Sequence, residues 1–371
     1  MDHPPATISL LNHFAKLKDP RQLVKVLYPL PEILLLVLCA TFVGADDFVE
    51  IRHWGETHMD FLRRFLPFNN GIPSHDALND LINALSPKLF SECFVAWVNT
   101  LRDNDPDIIA VDGKTSRRTH AKSKGRQPLH MVSAWASRQR LVLGQEATDV
   151  KSNEITAIPL LLERLELKGA LVTIDAMGCQ TKIAAAILER GADYLLAVKD
   201  NQPTLHDDIK RYFDDAPASE LQIAETVDGD HGRIETRRHV VSHKVDWLAG
   251  DSRFPGIKTI AMVENRTERN GETSCERRYY ISSAFLLALL FANAVRCHWH
   301  IENRLHWALD VVFREDLSRL HTGHGPHNMA TVRHMVMNLL RAIKPGKSLK
   351  VRRKLAGWDP DYLYAVLQGT A

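Results

Sequence analysis

The sequence predicts an α/β protein, a mixed sheet with its chemistry at the strand ends, preceded by a helical region. Three observations predict this. The apolar runs Ile108-Ile109-Ala110-Val111 and Leu171-Val172-Thr173-Ile174 each end on an aspartate, Asp112 and Asp175, as buried strands do when they surface. Around them strand-like and helix-like stretches alternate. The first hundred residues, by contrast, carry apolar positions at helical spacing.

In that first region the run from Ile33 to Val43 follows Pro29 and Pro31, which suit the approach to a helix. It has eleven residues, against the roughly 20 needed to cross a bilayer, so a buried helix is expected and no membrane partner. Phe48 to Phe65 repeats apolar residues at three and four, Gly71-Ile72-Pro73 breaks the pattern, and Ser74 suits the N-cap of a helix over Asp76–Leu85. A further helix is expected from about Pro87 to Leu101. Asp103 to Asp107 is polar and linker-like.

Beyond the linker, Leu129–Ala136 and Leu141–Thr148 flank the polar turn Ser137–Arg140 and predict a hairpin. Ser152 or Asn153 suits the cap of a helix to about Leu167, with Pro159 inside it. A helix over Thr181–Arg190 and a strand over Tyr194–Val198 follow. The polar stretch to Cys275 reads as β-like, with turns at Asp228-Gly229-Asp230 and Asn270-Gly271. A strand over Arg278–Ser282 and a long helical stretch from about Phe285 to Phe313 complete the pattern.

Bulk composition narrows the function classes. The 371 residues are 45% hydrophobic and 25% charged, an ordinary globular mix that needs no staples. Five cysteines, an odd number at wide spacing with no CxxC, argue against a disulfide framework or a zinc ribbon and fit a reducing cytoplasm. Met1–Pro5 lacks the basic-then-apolar order of a signal peptide. A net charge of +2 does not announce a nucleic-acid binder; local charge does.

A carboxylate at the end of a buried run is costly to desolvate without a partner. Two on neighbouring strands repel each other unless a divalent cation intervenes, and such a cation takes oxygen ligands readily. Aspartate after a strand also forms turns, so the joint context matters. Gly-Lys-Thr follows Asp112, Ala-Met-Gly-Cys-Gln follows Asp175, and a later helix carries Trp299, Glu302 and His306 on one face. Asp310, Glu315 and Asp316 rival Glu302 as a third acid. His298, His300 and His306 raise zinc as a competitor, but no cysteine pair stands at zinc spacing.

Basic residues cluster beside these acids. Lys114, Arg117, Arg118, Lys122, Lys124 and Arg126 follow Asp112 with no acid among them, as a polyanionic substrate requires. A second acid-free run, Arg341 to Lys354, holds seven lysines and arginines and suits phosphates or an ordinary soluble tail. The stretch from His231 to Arg238, with Arg233 and Arg237, suits DNA or an ordinary exposed strand.

Several stretches together resemble a known family. They are Asp112-Gly-Lys-Thr, Lys151 to Pro159, Thr173-Ile-Asp-Ala-Met-Gly-Cys-Gln180, Tyr194 to Gln202, His231 to Arg237, and His298-Trp-His-Ile-Glu-Asn303 with Leu305-His-Trp307. On these, with Gly71 to His75, the chain resembles insertion-sequence transposases of the DDE type, including the H-repeat-associated proteins of enteric bacteria. The resemblance implies an RNase H-like catalytic core. It implies a catalytic and metal-binding triad on Asp112, Asp175 and Glu302, and two Mg²⁺ ions, with Mn²⁺ able to substitute. It implies the element's terminal inverted repeats and target DNA as partners, in a homodimer that pairs two ends.

The broader family pattern around the third acid is Tyr-x2-Arg-x3-Glu-x6-Lys. This chain has Val295, His298 and Leu309 at the Tyr, Arg and Lys positions, so Arg296, His298, His300 or Arg304 would have to serve. Lys199 joins them as a DNA-contact candidate. The expected organisation is a helical domain over 1–102, a core in two parts over 103–199 and 277–340, a β-rich insertion over 200–276, and a basic tail over 341–371. A nuclease on the same core and a non-catalytic DNA-binding remnant are the competing readings.

Overall fold

The computed structural model describes residues 6–120, 127–148, 154–230, 233–248, 254–269, 272–343 and 346–370. The N-terminal layer consists of α1 (Ala6–Lys16), α2 (Leu30–Val43), α3 (Phe48–Thr57), α4 (Met59–Leu62), α5 (His75–Ala84) and α6 (Pro87–Asn99). Helix α2 is apolar on every side, and a helix of that kind is stable only when enclosed. Residues from Leu30 to Phe42 are accordingly buried, Pro31 excepted. The helix starts on a proline turn and stops at Gly44, whose φ of 117° puts it in the left-handed region.

Side-chain caps open the next helices: Asp47 on α3, Ser74 on α5 as expected, and Ser86 on α6. The single helix expected over Phe48–Phe65 is instead divided at His58. That imidazole turns back, with Nδ1 3.0 Å from the Trp54 carbonyl oxygen and its ring stacked on Trp54 at 4.7 Å.

The sheet contains β1 (Ile108–Ser116), β2 (Leu129–Ala136), β3 (Leu141–Ala147), β4 (Leu171–Ile174), β5 (Asp193–Val198), β6 (Gln222–Asp230), β7 (Arg233–Ser242), β8 (Thr259–Arg269) and β9 (Glu272–Ser282). Among the described residues these nine form one sheet in the order β3-β2-β1-β4-β5-β9-β8-β7-β6. Strands β1, β4 and β5 run parallel and the other pairings are antiparallel. Helices α7 (Glu154–Glu163) and α8 (Thr181–Glu189) join the core strands. The caps expected at Ser152 or Asn153 lie outside the described residues.

The strand expected over Arg278–Ser282 forms the end of β9 and returns to the core, pairing with β5 from Leu195↔Ser282 to Val198↔Tyr279. Residues 200–276 depart from expectation in two ways. They contain a helix, α9 (Pro203–Asp215). Its signal was in the sequence: a proline in the first turn and the buried pair Ile209 and Phe213 four apart. The expected turn at Asp228–Asp230 instead belongs to β6, where Asp230 pairs with Arg233.

After β9 come α10 (Ala288–His300), a π-helical turn over Ile301–His306, α11 (Trp307–Val311) and α12 (Gly325–Ala342). Helix α12 ties the two layers together through buried polar side chains. Asn328 donates to the carbonyls of Ile82 and Leu85 at the end of α5. Asn338 bonds both peptide groups of Val142, N–H and C=O, at 2.9 Å each. Strand β3 is the sheet's edge, and an edge strand needs partners or cover.

The C-terminal segment is not a loose tail. Helices α13 (Leu349–Trp358) and α14 (Pro360–Gln368) pack back onto α2 and α1. Arg353 is buried and donates to the carbonyls of Thr41, Phe42 and Val312. Arg352 is buried too and donates to Leu340 and Ile343 carbonyls, and Arg341 to that of Arg304. These guanidiniums serve the fold, whereas Lys347, Lys350 and Lys354 remain exposed.

Candidate active site

Strand register brings the two aspartates to one place. The parallel pair β1 and β4 runs from Ile108↔Leu171 to Val111↔Ile174, so Asp112 and Asp175 come next. Asp175 is past the end of β4, whereas β1 does not end at Asp112 as expected but continues to Ser116 by pairing with β2. Side chains alternate along a strand, which puts Asp112 on the face of Ala110 and Asp175 on that of Thr173. Helix α10 packs on both strands, and Thr173 Oγ1 lies 3.1 Å from Nδ1 of His298 on that helix. The π-turn that continues α10 carries Glu302.

The three acids line one cavity of about 270 Å³ with Lys199, Arg278, Tyr280, His298 and Trp299. Asp112 Oδ1 accepts from the Gly113 N–H at 2.9 Å, and Asp175 Oδ1 from those of Met177 and Gly178 at 3.0 and 3.3 Å. Asp175 is therefore a turn former as well as a cavity acid. Glu302 is exposed, and its carboxylate makes no hydrogen bond or ion pair among the described residues.

Electrostatics mark Asp112 as the centre. Burial, joined by the negative charges of Glu154, Asp175 and Glu302, pushes its carboxyl up to about 7, against the pull of the Gly113 N–H. Placing negative charge in a half-buried site costs free energy that a cation would offset. Burial drives His306 the other way, down to about 3, so its imidazole is neutral. Its Nδ1 lies 3.6 Å from Asp112 Oδ2.

Asp112, Glu302 and His306 each offer a ligand atom within 4.8 Å of the others. Asp175 is not part of this tightest cluster. Carboxylate oxygens, one neutral imidazole and a mutually repelling set of acids fit a divalent metal ion.

The rival acids are engaged elsewhere. Lys114 Nζ lies 2.6 Å from Asp310, 3.5 Å from Asp316 and 3.8 Å from Glu315, and Arg333 also reaches Glu315 at 3.5 Å. Lys114 was expected as a phosphate contact; its ammonium is enclosed by three carboxylates instead. Arg117 and Arg118 are exposed, and Arg117 approaches Asp316 at 3.5 Å. Lys122, Lys124 and Arg126 lie outside the described residues, as does the side chain of Arg233.

A larger cavity of about 810 Å³ adjoins the first and shares Arg278, Tyr280, Val295 and Trp299 with it. It brings together Arg237 and Arg296, which both reach Asp228, at 2.6 and 3.4 Å. His298 sits behind the acids, held below the ordinary imidazole range by burial. Arg304 lines neither cavity.

Three groups escaped the sequence reading. Glu154 opens α7, and its Oε1 is 2.8 Å from His130 Nε2, while His130 Nδ1 is 2.6 Å from Thr115 Oγ1. Both sit against Gly113, where a side chain would collide with them. Arg278 lies over Trp299 at 5.6 Å. Glu154 fell inside a motif already singled out, but its approach to Asp112 spans 42 positions and leaves no local signal.

Sheet order, crossing helices and acids brought together from β1, the end of β4 and the late helix are consistent with an RNase H-like DDE domain. Residues 103–339 match the family described as Transposase DDE domain, and residues 11–98 match the DDE_Tnp_1-associated family. The chain belongs to the DDE transposase family. It is 41% identical over 375 residues to YhhI of Escherichia coli K12, an H repeat-associated protein provisionally named a transposase, covering 97% of this chain and 98% of that one. It is 42% identical to YbfL of the same strain at the same coverage. A protein from the dhlA 3′ region of Xanthobacter autotrophicus is 44% identical over 274 residues, covering 73% of this chain and 92% of that one. No helix among the described residues is long and apolar enough to cross a membrane.

Proposed function

We propose that this chain is the transposase of an insertion sequence, cleaving the ends of its element and joining them to target DNA. Asp112, Asp175 and Glu302 are its catalytic acids, holding two divalent ions, Mg²⁺ with Mn²⁺ able to substitute. The reading is carried by the convergence of three acids, 63 and 127 positions apart in the chain, on one cavity.

Bound ions would polarise the attacking oxygen and offset charge on the leaving one. The chain's own residues orient the substrate. Backbone N–H groups fix one oxygen of Asp112 and of Asp175, which sets the direction of each carboxylate. Lys199 and Arg278 on the cavity wall suit the flanking phosphates, and Arg117 and Arg118 the duplex beyond. The nucleophile is first water, then the 3′-hydroxyl it frees, each attacking phosphorus in line with no covalent protein intermediate. Pairing two ends calls for two protomers in the working complex.

The test uses labelled terminal-repeat DNA. Asp112→Ala and Asp175→Ala should abolish cleavage while end binding persists, and full cleavage by either variant would remove that residue from the site. With pre-cut ends, joined product supports a transposase. Cleavage without joining makes the chain a nuclease, and tight end binding without Mg²⁺-dependent cleavage makes it a DNA-binding remnant.

A further inference from the structure

We infer that His306 is a nitrogen ligand to the metal ion held between Asp112 and Glu302, which makes that position a mixed oxygen and nitrogen site selective for Mn²⁺ over Mg²⁺. The inference rests on the proposed role of the acids and revises its ion at one of the two positions, where Mn²⁺ is preferred and Mg²⁺ is the weaker occupant.

His306 is only 8% exposed, and neither of its ring nitrogens makes a hydrogen bond among the described residues. Nε2 is fully enclosed without a partner. Nδ1 faces Asp112 Oδ2 at 3.6 Å, beyond hydrogen-bond length. A buried polar group left unpaired costs about 1–3 kcal/mol; Nδ1 is the nitrogen turned toward the acids and free to take a ligand there, while Nε2 faces away from Asp112.

The backbone supplies a second, independent observation. Glu302 and His306 lie on a π-helical turn, Ile301–His306, inserted between two α-helical segments. Such turns are uncommon and concentrate at functional sites. With about 4.4 residues per π-turn, residues four apart fall on one side, so Glu302 and His306 present their ligand atoms together. The Asp112, Glu302 and His306 atoms lie within 4.8 Å of one another. Donors bonded to one metal ion at about 2.0–2.2 Å lie at most about 4.4 Å apart, so these side chains need close by only a few tenths of an ångström to share one.

Donor chemistry sets the selectivity. Mg²⁺ prefers oxygen ligands and water, whereas later divalent ions accept imidazole readily. Mn²⁺ tolerates both and is the probe of choice because it is paramagnetic.

The experiment is pulsed electron paramagnetic resonance of the full chain loaded with one equivalent of Mn²⁺, with natural-abundance and ¹⁵N-histidine-labelled protein. A directly bonded histidine nitrogen is expected, its coupling changing with the label. It should vanish in His306→Ala and His306→Gln and persist in His298→Ala. Calorimetry should show His306→Ala weakening Mn²⁺ binding by about tenfold or more and Mg²⁺ binding by less than about threefold. Absence of nitrogen coupling in the wild-type protein, its persistence in the His306 variants, or equal weakening of both ions overturns the assignment.

Asp112→Ala separates the two layers of the argument. Loss of metal binding there with no nitrogen coupling in wild type refutes His306 alone. Unchanged metal binding in Asp112→Ala refutes the proposed acid site itself.

Discussion

Val111 and Ile174 are the last residues that β1 and β4 pair with each other, so Asp112, still within β1, and Asp175, just beyond β4, stand side by side. Everything proposed for the site follows from that register. A one-residue slip would turn one aspartate to the opposite face and take it from the cavity that Glu302 and His298 line.

Gly113 guards this arrangement from the other side. A Cβ there would collide with Glu154 Oε1 and lie 2.5 Å from His130 Nε2. Gly113→Ala should therefore push apart the pair that flanks Asp112, costing about 1–3 kcal/mol and weakening metal binding more than tenfold. Urea unfolding and Mn²⁺ calorimetry on the same variant check both effects. Wild-type values in both would show that the pair yields freely.

The basic run near the C-terminus divides into structural and exposed cations. Arg353 satisfies carbonyls at the end of α2 and the Val312 carbonyl, and its guanidinium lies over Phe313 at 4.6 Å. Arg353→Met should cost about 2–4 kcal/mol in urea unfolding and leave the folded protein's DNA affinity within about twofold. If DNA affinity drops while stability holds, the guanidinium is a phosphate contact after all.

Acid should unfold the protein through buried histidines. Burial lowers His334 to about 3 and His327 to about 4, against about 6.5 in the unfolded chain. Between those values the unfolded state binds more protons, so stability is full above about pH 6.5 and falls as pH drops. The slope is up to about 2.7 kcal/mol per pH unit for the two groups. His306, lowered to about 3, adds to this slope, and Asp112, raised to about 7, subtracts from it. Chemical unfolding at successive pH values should show His334→Phe lowering the slope by up to about 1.4 kcal/mol per pH unit. A stability that is flat between pH 6.5 and 4.5 would contradict neutral, buried rings.

Much of this was legible in sequence, for identifiable reasons. Ile108–Val111 is wholly apolar and Leu171–Ile174 is so apart from Thr173, because both lie inside a sheet covered on two faces. The resemblance motifs then singled out the acids that follow them. What remained hidden depends on long-range contact. Lys114 looked like a free cation because its partners, Asp310, Glu315 and Asp316, come some 200 positions later. Arg352 and Arg353 looked like tail charges because burial of an arginine against helix-end carbonyls has no local pattern. Pro203 and the Ile209–Phe213 pair did signal α9, and the polar residues around them obscured it. The π-turn has no sequence signature, since the spacing of Glu302 and His306 suits an α-helix equally well.

The most direct test of the central claim is a crystal soaked in Mn²⁺ and measured for anomalous scattering. The account predicts manganese peaks within about 2.0–2.6 Å of carboxylate oxygens of Asp112, Asp175 and Glu302. Manganese bound only elsewhere, or no peak beside these acids at saturating concentration, would contradict it.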